Sequence, residues 1–337
     1  MSAQQEPSPQ LFFDTVNAYQ RSAALKAALE LELFTAIAEG NETAAGIAAR
    51  VGASERGTRI LCDYLTIVGF LTKEDARYRL TPDTALFLDR RSPAYLGDAV
   101  GFLNSEMLMA GFRETTAAVR KGGTTVGEEG TIAPDNPMWV EFARSMSSFM
   151  ALPAQMIAQL VDPWHDRPLR ILDIAAGHGR FGLAFAARNP QAEVTAVDWA
   201  AVLEVAKENA ARAGVADRYR TIAGSAFEVD FGGPYDIVLL TNFLHHFDVQ
   251  TNETLLRKVR AALADGGRAV TLEFVPNDDR VSPPPAAMFS FIMLVGTPAG
   301  DAYTFAELER MFQRAGFTRS ELHPLAPTPE SVIISEK

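Results

Sequence analysis

The sequence holds a single cysteine, Cys62, in 337 residues. One thiol can make neither an intrachain disulfide nor a thiolate cluster, and its place in an apolar helical pattern predicts a small buried side chain in a reducing compartment. Basic residues are also short, since 31 Lys and Arg against 42 Asp and Glu leave a formal charge of −11 spread over both halves. That field opposes nucleic acid and anionic membranes, so neither is expected as a partner. No apolar run reaches the roughly 18 residues of a membrane span, and the opening MSAQQEPSPQLFF lacks the basic start and apolar core of a secretion signal. A cytoplasmic protein is expected. Repeats and low-complexity tracts are absent. His165, His178 and His323 are scattered and His245 and His246 adjacent, so no metal-ligand spacing arises and no metal is expected.

What is present is the composition of a folded protein, 47% hydrophobic and 22% charged, long enough for two units or one large α/β domain with additions. From Leu11 to Ala38 apolar residues recur at helical spacing, which predicts helices stopped by Gly40. Thr43 to Val51, Gly52 and a second helix opened by Ser54 read as helix, turn, helix. Phe70 to Leu80 alternates around the polar turn Lys73-Glu74-Asp75-Ala76, which predicts a hairpin. Helix-turn-helix plus hairpin is a winged helix, a shape used to bind DNA. Its would-be reading helix sets Arg56 and Arg59 beside Glu55 and Asp63, which is no basic stripe, so a packing or dimerising role is expected. A Gly- and Pro-rich loop over 121–137 precedes a helix carrying Trp139, Phe142, Met146, Phe149 and Met150. Core packing is the ordinary role of such a row, although adaptable methionines and flat aromatics also line pockets for planar ligands.

From Leu169 the period changes. Segments 169–175, 193–197, 219–223, 235–240 and 268–274 read as strands, alternating with helices at 181–187, 201–213 and 252–263. This is the α/β class, a doubly wound and mostly parallel sheet, closed by a helix over 305–315 and strands at 319–323 and 331–335. After the first strand comes Gly177-His178-Gly179-Arg180-Phe181-Gly182, a turn that lets backbone approach a dinucleotide or an adenosyl cofactor. Asp173, ending that strand, favours the second. Its carboxylate would repel a pyrophosphate but suits S-adenosylmethionine, which carries an ammonium and a sulfonium and no phosphate; a strand-end cap is its alternative role. Asp198 ends the second strand, where a carboxylate can accept both ribose hydroxyls, and Trp199 offers a flat face to adenine. In Gly224-Ser225-Ala226-Phe227, Ser225 and Phe227 are placed to contact adenine or simply to pack the turn. His245 and His246 follow the fourth strand at the same sheet edge. Imidazole titrates near about 6.5 and a phenol near about 10, so a positioned neutral histidine can take a hydroxyl proton.

LDIAAGHG, VDW, AGSAF and LLTNFLHHF, in that order behind a winged helix, resemble class I S-adenosylmethionine-dependent O-methyltransferases of the plant caffeic-acid and bacterial polyketide-tailoring type. The likeness covers nearly the whole chain and extends furthest to uncharacterised cyanobacterial methyltransferases sharing NFLHHFD and GDAYT. It implies a winged-helix dimerisation domain over 1–100, a helical substrate-lining connector over 101–165, and a Rossmann-like methyltransferase sheet over 166–337. A homodimer is implied, with S-adenosylhomocysteine as product and a small, largely apolar aromatic acceptor bearing a hydroxyl, in a setting of secondary metabolism. The resemblance puts the base at His245, with Glu273 orienting its ring. The family's second glutamate aligns with Ala302, so neighbouring Asp301 is the candidate replacement. Cofactor contacts are implied at Asp173, Ala175, Gly177, Gly179, Asp198, Trp199, Ser225, Ala226, Phe227, Thr241 and Asn242, where Ala175 and Ala176 replace two glycines and Thr241 a lysine. Acceptor contacts are implied at Phe142, Met146, Met150, Asn242, His246, Phe289, Ile292 and Met293. Transfer to nitrogen, sulfur or carbon, a member without methyl transfer, a nicotinamide oxidoreductase and a winged-helix regulator are the alternatives.

Overall fold

The computed structural model describes residues 7–161 and 167–337. His165, the boundary expected at 165/166 and the first six residues of the opening segment lie outside the described residues. The chain divides into two compact units, Met1–Asn104 and Ser105–Lys337.

In the first unit the periodic stretch forms three helices, α1 (Gln10–Val16), α2 (Tyr19–Glu30) and α3 (Leu33–Ala38). The last break falls at Glu32, whose φ of 53° turns the chain between α2 and α3. Thr43 caps α4 (Ala44–Val51) and Ser54 caps α5 (Glu55–Ile67), each side chain accepting from an amide in the first turn. Strands β1 (Leu71–Glu74) and β2 (Arg77–Leu80) pair antiparallel, with Lys73 opposite Tyr78 and Glu74 opposite Arg77. The turn is therefore shorter than the four residues expected: only Asp75 and Ala76 lie outside the ladder, and Asp75 at φ 53° closes it. Helices α6 (Pro82–Phe87) and α7 (Ala99–Leu103) complete the unit. Its core gathers Phe34, Ile47, Cys62, Leu65 and Tyr78. Burial pushes the Cys62 thiol up to about 12, so it stays a neutral packing group. Arg59 of α5 is bound to Asp63 at 2.9 Å and Lys73 of β1 to the same carboxylate at 2.6 Å, so these two cations are already paired.

The second unit opens with α8 (Glu106–Arg113), α9 (Thr115–Lys121), α10 (Met138–Ser145) and α11 (Ala151–Val161). The row from Trp139 to Met150, expected as one helix, is thus two: α10 stops at Ser145 and residues 146–150 form turns. Ser147 and Ser148 weaken the helix there, and Ser147 Oγ accepts from Arg180 Nε at 2.8 Å.

Five parallel strands follow, β3 (Leu169–Ile174), β4 (Ala192–Asp198), β5 (Tyr219–Ala223), β6 (Tyr235–Thr241) and β7 (Leu263–Glu273), with α12 (Arg180–Arg188), α13 (Ala200–Arg212) and α14 (Val249–Ala262) between them. Strand β7 starts five residues before the expected 268, through a register shift opposite Tyr235 and Ile237. Helices α15 (Pro284–Ala287), α16 (Phe289–Gly296) and α17 (Phe305–Arg314) precede β8 (Arg319–Pro324) and β9 (Ser331–Glu336). The sheet order is β5-β4-β3-β6-β7-β9-β8, so β9 runs antiparallel between β7 and β8. The order reverses direction between β3 and β6, leaving a crevice at their carboxyl ends, the place where α/β sheets bind ligands. Ile171, Leu172, Val194, Val238 and Phe312 are at most 1% exposed, and burial of side chains this size stabilises by about 1.5–3 kcal/mol each.

Candidate active site

The glycine turn lies across the crevice on left-handed backbone, with Ala175, Gly177 and Gly179 at φ of 54°, 55° and 72°. Gly179 has no room for a side chain, because a Cβ there would stand 2.6 Å from the Tyr219 hydroxyl. Asp173 is fully buried beneath the turn. Its Oδ2 accepts from Gly182 N–H at 3.0 Å, which is the strand-end cap considered from the sequence, while Oδ1 is buried and has no partner. Desolvation pushes its carboxyl up to about 7 against the Gly182 bond. Asp198 accepts from Gly177 N–H at 2.8 Å and from Trp199 N–H at 2.7 Å, so it ties the second strand end to the turn. Burial raises it to about 6. The Trp199 indole packs against the cluster of Ala143, Val202 and Val205. Ser225 Oγ accepts from Phe227 N–H at 3.3 Å, and the Phe227 ring stands edge-on to Phe247 at 5.0 Å. Both also pack their own turn, whatever else they contact.

The second half of the site is built on the turn Leu244–His246 after β6. Glu273, ending β7 and 2% exposed, lies under this turn. Its Oε1 accepts from the amides of Phe243 (3.1 Å), Leu244 (2.8 Å) and His245 (3.4 Å), and its Oε2 takes His245 Nδ1 at 2.5 Å. A carboxylate there requires Nδ1 to carry the proton, so Nε2 presents its lone pair; it has no hydrogen-bond partner among the described residues. The loop is held from other sides as well. Asn252 Nδ2 donates to Leu244 O at 2.9 Å and Phe247 O at 3.2 Å, and the Tyr303 hydroxyl donates to Phe247 O at 2.6 Å.

A file of rings links the two halves. His245 meets His246 at 4.3 Å between centroids, His246 meets Trp139 at 5.3 Å, Trp139 meets Phe142 at 5.7 Å, and Phe142 lies over His178 at 6.0 Å. Phe142 also touches Gly177, 3.6 Å from where its Cβ would be. Phe289 stands edge-on to His245 at 4.8 Å. His246 keeps a buried, unpartnered Nδ1, and burial beside His245 holds its pKa well below the usual range, so it stays neutral. His178 accepts from Arg180 N–H at Nδ1 (3.1 Å), and desolvation lowers it to about 3.

Met150 Sδ lies 4.0 Å from Asn242 Nδ2, and Met146 and Met293 are buried. Ala226 is buried, and Thr241, also buried, ends β6. Asp301 is turned outward: its Oδ2 takes Arg280 Nη1 at 3.0 Å in a half-exposed pair, and no bond connects it to His245. Ala302 beside it is fully buried. Trp139, His178 and Glu330 contact the predicted residues but were not named as site residues. Trp139 shares a helix face with Phe142 and His178 sits between two glycines, so both were within reach of the sequence pattern. Glu330 carried no such signal, since only the strand order brings it near.

The turn's features fit an adenosyl cofactor. Two buried carboxylates flank it, Asp173 Oδ1 and Asn242 Oδ1 are unmet polar atoms, and the guanidinium of Arg180 is committed to Ser147. Among the described residues no group of three metal-ligating side chains occurs, and no helix is long and apolar enough to cross a membrane.

A family model described as the O-methyltransferase domain matches residues 111–318, and one described as the O-methyltransferase dimerisation domain matches residues 13–90. The 3-hydroxy-5-methyl-1-naphthoate 3-O-methyltransferase of Streptomyces sahachiroi is 33% identical over 314 residues, covering 91% of this chain and 89% of its own. A crystal structure from Nostoc punctiforme, provisionally named an O-methyltransferase, is 59% identical, covers 99% of this chain and 100% of its own, and superposes with a TM-score of 0.95. The structure of PigF with SAH (S-adenosylhomocysteine) is 26% identical, covers 98% of this chain and 100% of its own, and gives 0.85. With both domains matched and the cofactor turn in place, this chain belongs to the S-adenosylmethionine-dependent O-methyltransferase family.

Proposed function

We propose that the chain methylates a hydroxyl of a small, largely apolar aromatic molecule, with His245 as general base and Glu273 as the group that orients it. The observation that carries this reading is the 2.5 Å contact of His245 Nδ1 with Glu273 Oε2, which leaves Nε2 as a positioned acceptor for a proton. When bound, S-adenosylmethionine supplies an electrophilic methyl on its sulfonium. Asp198 and the glycine turn would hold the ribose side, and Asp173 Oδ1, buried and unmet, would accept from the ammonium. His245 Nε2 would take the hydroxyl proton as the oxygen bonds to the methyl and the methyl–sulfur bond breaks, its electron pair staying on sulfur, and the Glu273 carboxylate would then face an imidazolium. Trp139, Phe142 and Phe289 shut water out and hold the aromatic plane, so orientation does much of the work. Asp301, paired with Arg280 at 3.0 Å, plays no part in this reading.

Replacing Asp198 by alanine removes a carboxylate that ties the turn and would accept ribose hydroxyls. Calorimetry should show S-adenosylhomocysteine binding weakened by about 1–3 kcal/mol, the usual worth of hydrogen bonds to a charged group. Unchanged affinity would move the ribose elsewhere.

The reading extends to a homodimer in the cytoplasm, formed through the first unit, and to the boundaries 1–100, 101–165 and 166–337. Helix α1 supports the dimer: none of its residues is buried, and Leu11, Phe12, Phe13 and Val16 are 78%, 63%, 53% and 54% exposed. An apolar face of that kind marks an association surface. Sedimentation should give about twice the 36.6 kDa of the chain. A folded monomer at micromolar concentration would contradict the dimer.

A further inference from the structure

Glu330 stands immediately before β9, and the register of β9 on β7, with Ser331 opposite Glu273, carries it to the edge where the histidine turn sits. It is 2% exposed. Its Oε1 accepts from Asn242 Nδ2 at 3.2 Å, and its Oε2 is buried with no hydrogen-bond partner. The Thr328 hydroxyl gives its hydrogen to Leu325 O at 2.8 Å and lies close enough to the Glu330 carboxylate to favour its charged form. Burial pushes the Glu330 carboxyl above its ordinary range and the Glu273 charge adds to it, while Asn242, the Thr328 hydroxyl and the neighbouring His245 oppose the shift. Asn242 is in a similar condition. Its Oδ1 is buried and unmet, and its backbone is held at φ 53°, a strained region for a residue with a side chain. A polar pair this incompletely satisfied costs stability unless a ligand completes it. Of the expected acceptor residues, Met150 brings only a thioether sulfur to this pair, 4.0 Å from Asn242 Nδ2, and Oδ1 and Oε2 stay unmet.

Resting on the acceptor reading above, we propose that Glu330 and Asn242 form a second polar anchor, selecting aromatic acceptors that carry a hydrogen-bond donor in addition to the reacting hydroxyl. Oε2 and Oδ1 are both oxygen acceptors, so a hydroxyl or N–H reaching either satisfies it. A carboxylate there would meet a buried acidic group and be rejected. A second donor held there sets which hydroxyl is presented to His245.

The test is calorimetry on the full chain saturated with S-adenosylhomocysteine, using 2-naphthol, the dihydroxynaphthalenes and hydroxynaphthoic acids as probes. At least one dihydroxynaphthalene should bind about tenfold more tightly than 2-naphthol, and the acids more weakly. Glu330→Ala should abolish that ratio. The isosteric Glu330→Gln, whose amide oxygen still accepts, should keep part of it and admit an acid. Both variants should bind S-adenosylhomocysteine as the parent does, which also verifies that they fold. The same ratio in the parent and in Glu330→Ala would overturn the anchor while leaving the aromatic acceptor in place. Loss of S-adenosylhomocysteine binding with the ratio intact would overturn it too, by moving Glu330 to the cofactor. If no probe binds the parent, the acceptor reading fails and the anchor with it.

Discussion

His245→Ala should lower the rate of methyl transfer by ~10²- to 10⁴-fold, the usual worth of a positioned base, while S-adenosylhomocysteine affinity changes by less than about twofold. The split follows from the geometry. The imidazole is bonded to Glu273 at 2.5 Å and stands edge-on to Phe289, so in the proposed reading it serves the acceptor's proton and not the cofactor. A hydroxyaromatic found by screening serves as substrate, with rates taken at saturating cofactor across pH 6 to 9 and His246→Ala as the comparison. His246 shares the turn and the burial but has no carboxylate behind it, and its Nδ1 is unmet. Its removal should change acceptor binding more than the chemical step. If only His246→Ala abolishes turnover, the base is one residue off. If neither does, the acceptor atom is nucleophilic without help, as a thiol, an amine or an ionised oxygen would be.

Gly300→Ala should be nearly as damaging although residue 300 touches no substrate. A Cβ at this position would stand 2.2 Å from His245 O, 2.7 Å from Thr297 Oγ1 and 2.9 Å from the His246 carbonyl carbon. Two of these are backbone atoms of the very turn that carries His245, so the turn must move. Displacement of a catalytic group by about 1 Å costs on the order of 10²-fold, and overpacking lowers stability by about 1–3 kcal/mol. Initial rates and thermal melting measure the two effects. Parent-like rates would mean the loop absorbs the methyl group elsewhere, and the tight hold on His245 would not matter for turnover.

Glycine 300 also explains what became of the segment GDAYT, where the resemblance led us to look for a second acid. Ala302 is buried, Asp301 is drawn outward by Arg280, Gly300 presses on His245 O, and Tyr303 bonds Phe247 O. The segment supports the turn that carries His245 through backbone packing and a phenol instead of a carboxylate. Local pattern showed the sheet, the glycine turn and the histidine turn because each is carried by consecutive residues with a period or a fixed offset. Met146 and Met150 were placed on one helix because spacing alone does not reveal a break made by a distant arginine bonding Ser147. Glu330 was invisible for a related reason. Its neighbours Asn242 and Glu273 lie 88 and 57 residues away in sequence, brought close by a strand inserted between two others.

That inserted strand has a consequence for the order in which the protein is made. Strands β3 to β7, the glycine turn and the histidine turn have all left the ribosome before Ser331 is added, so the cofactor half can assemble early. Until β9 arrives, the outer edge of β7 is a bare row of amides and carbonyls, free to pair with another nascent chain. Synthesis of the last strand therefore does two things at once: it covers an edge prone to aggregation and delivers Glu330, so the half of the site that discriminates between acceptors is completed only when that hazard ends.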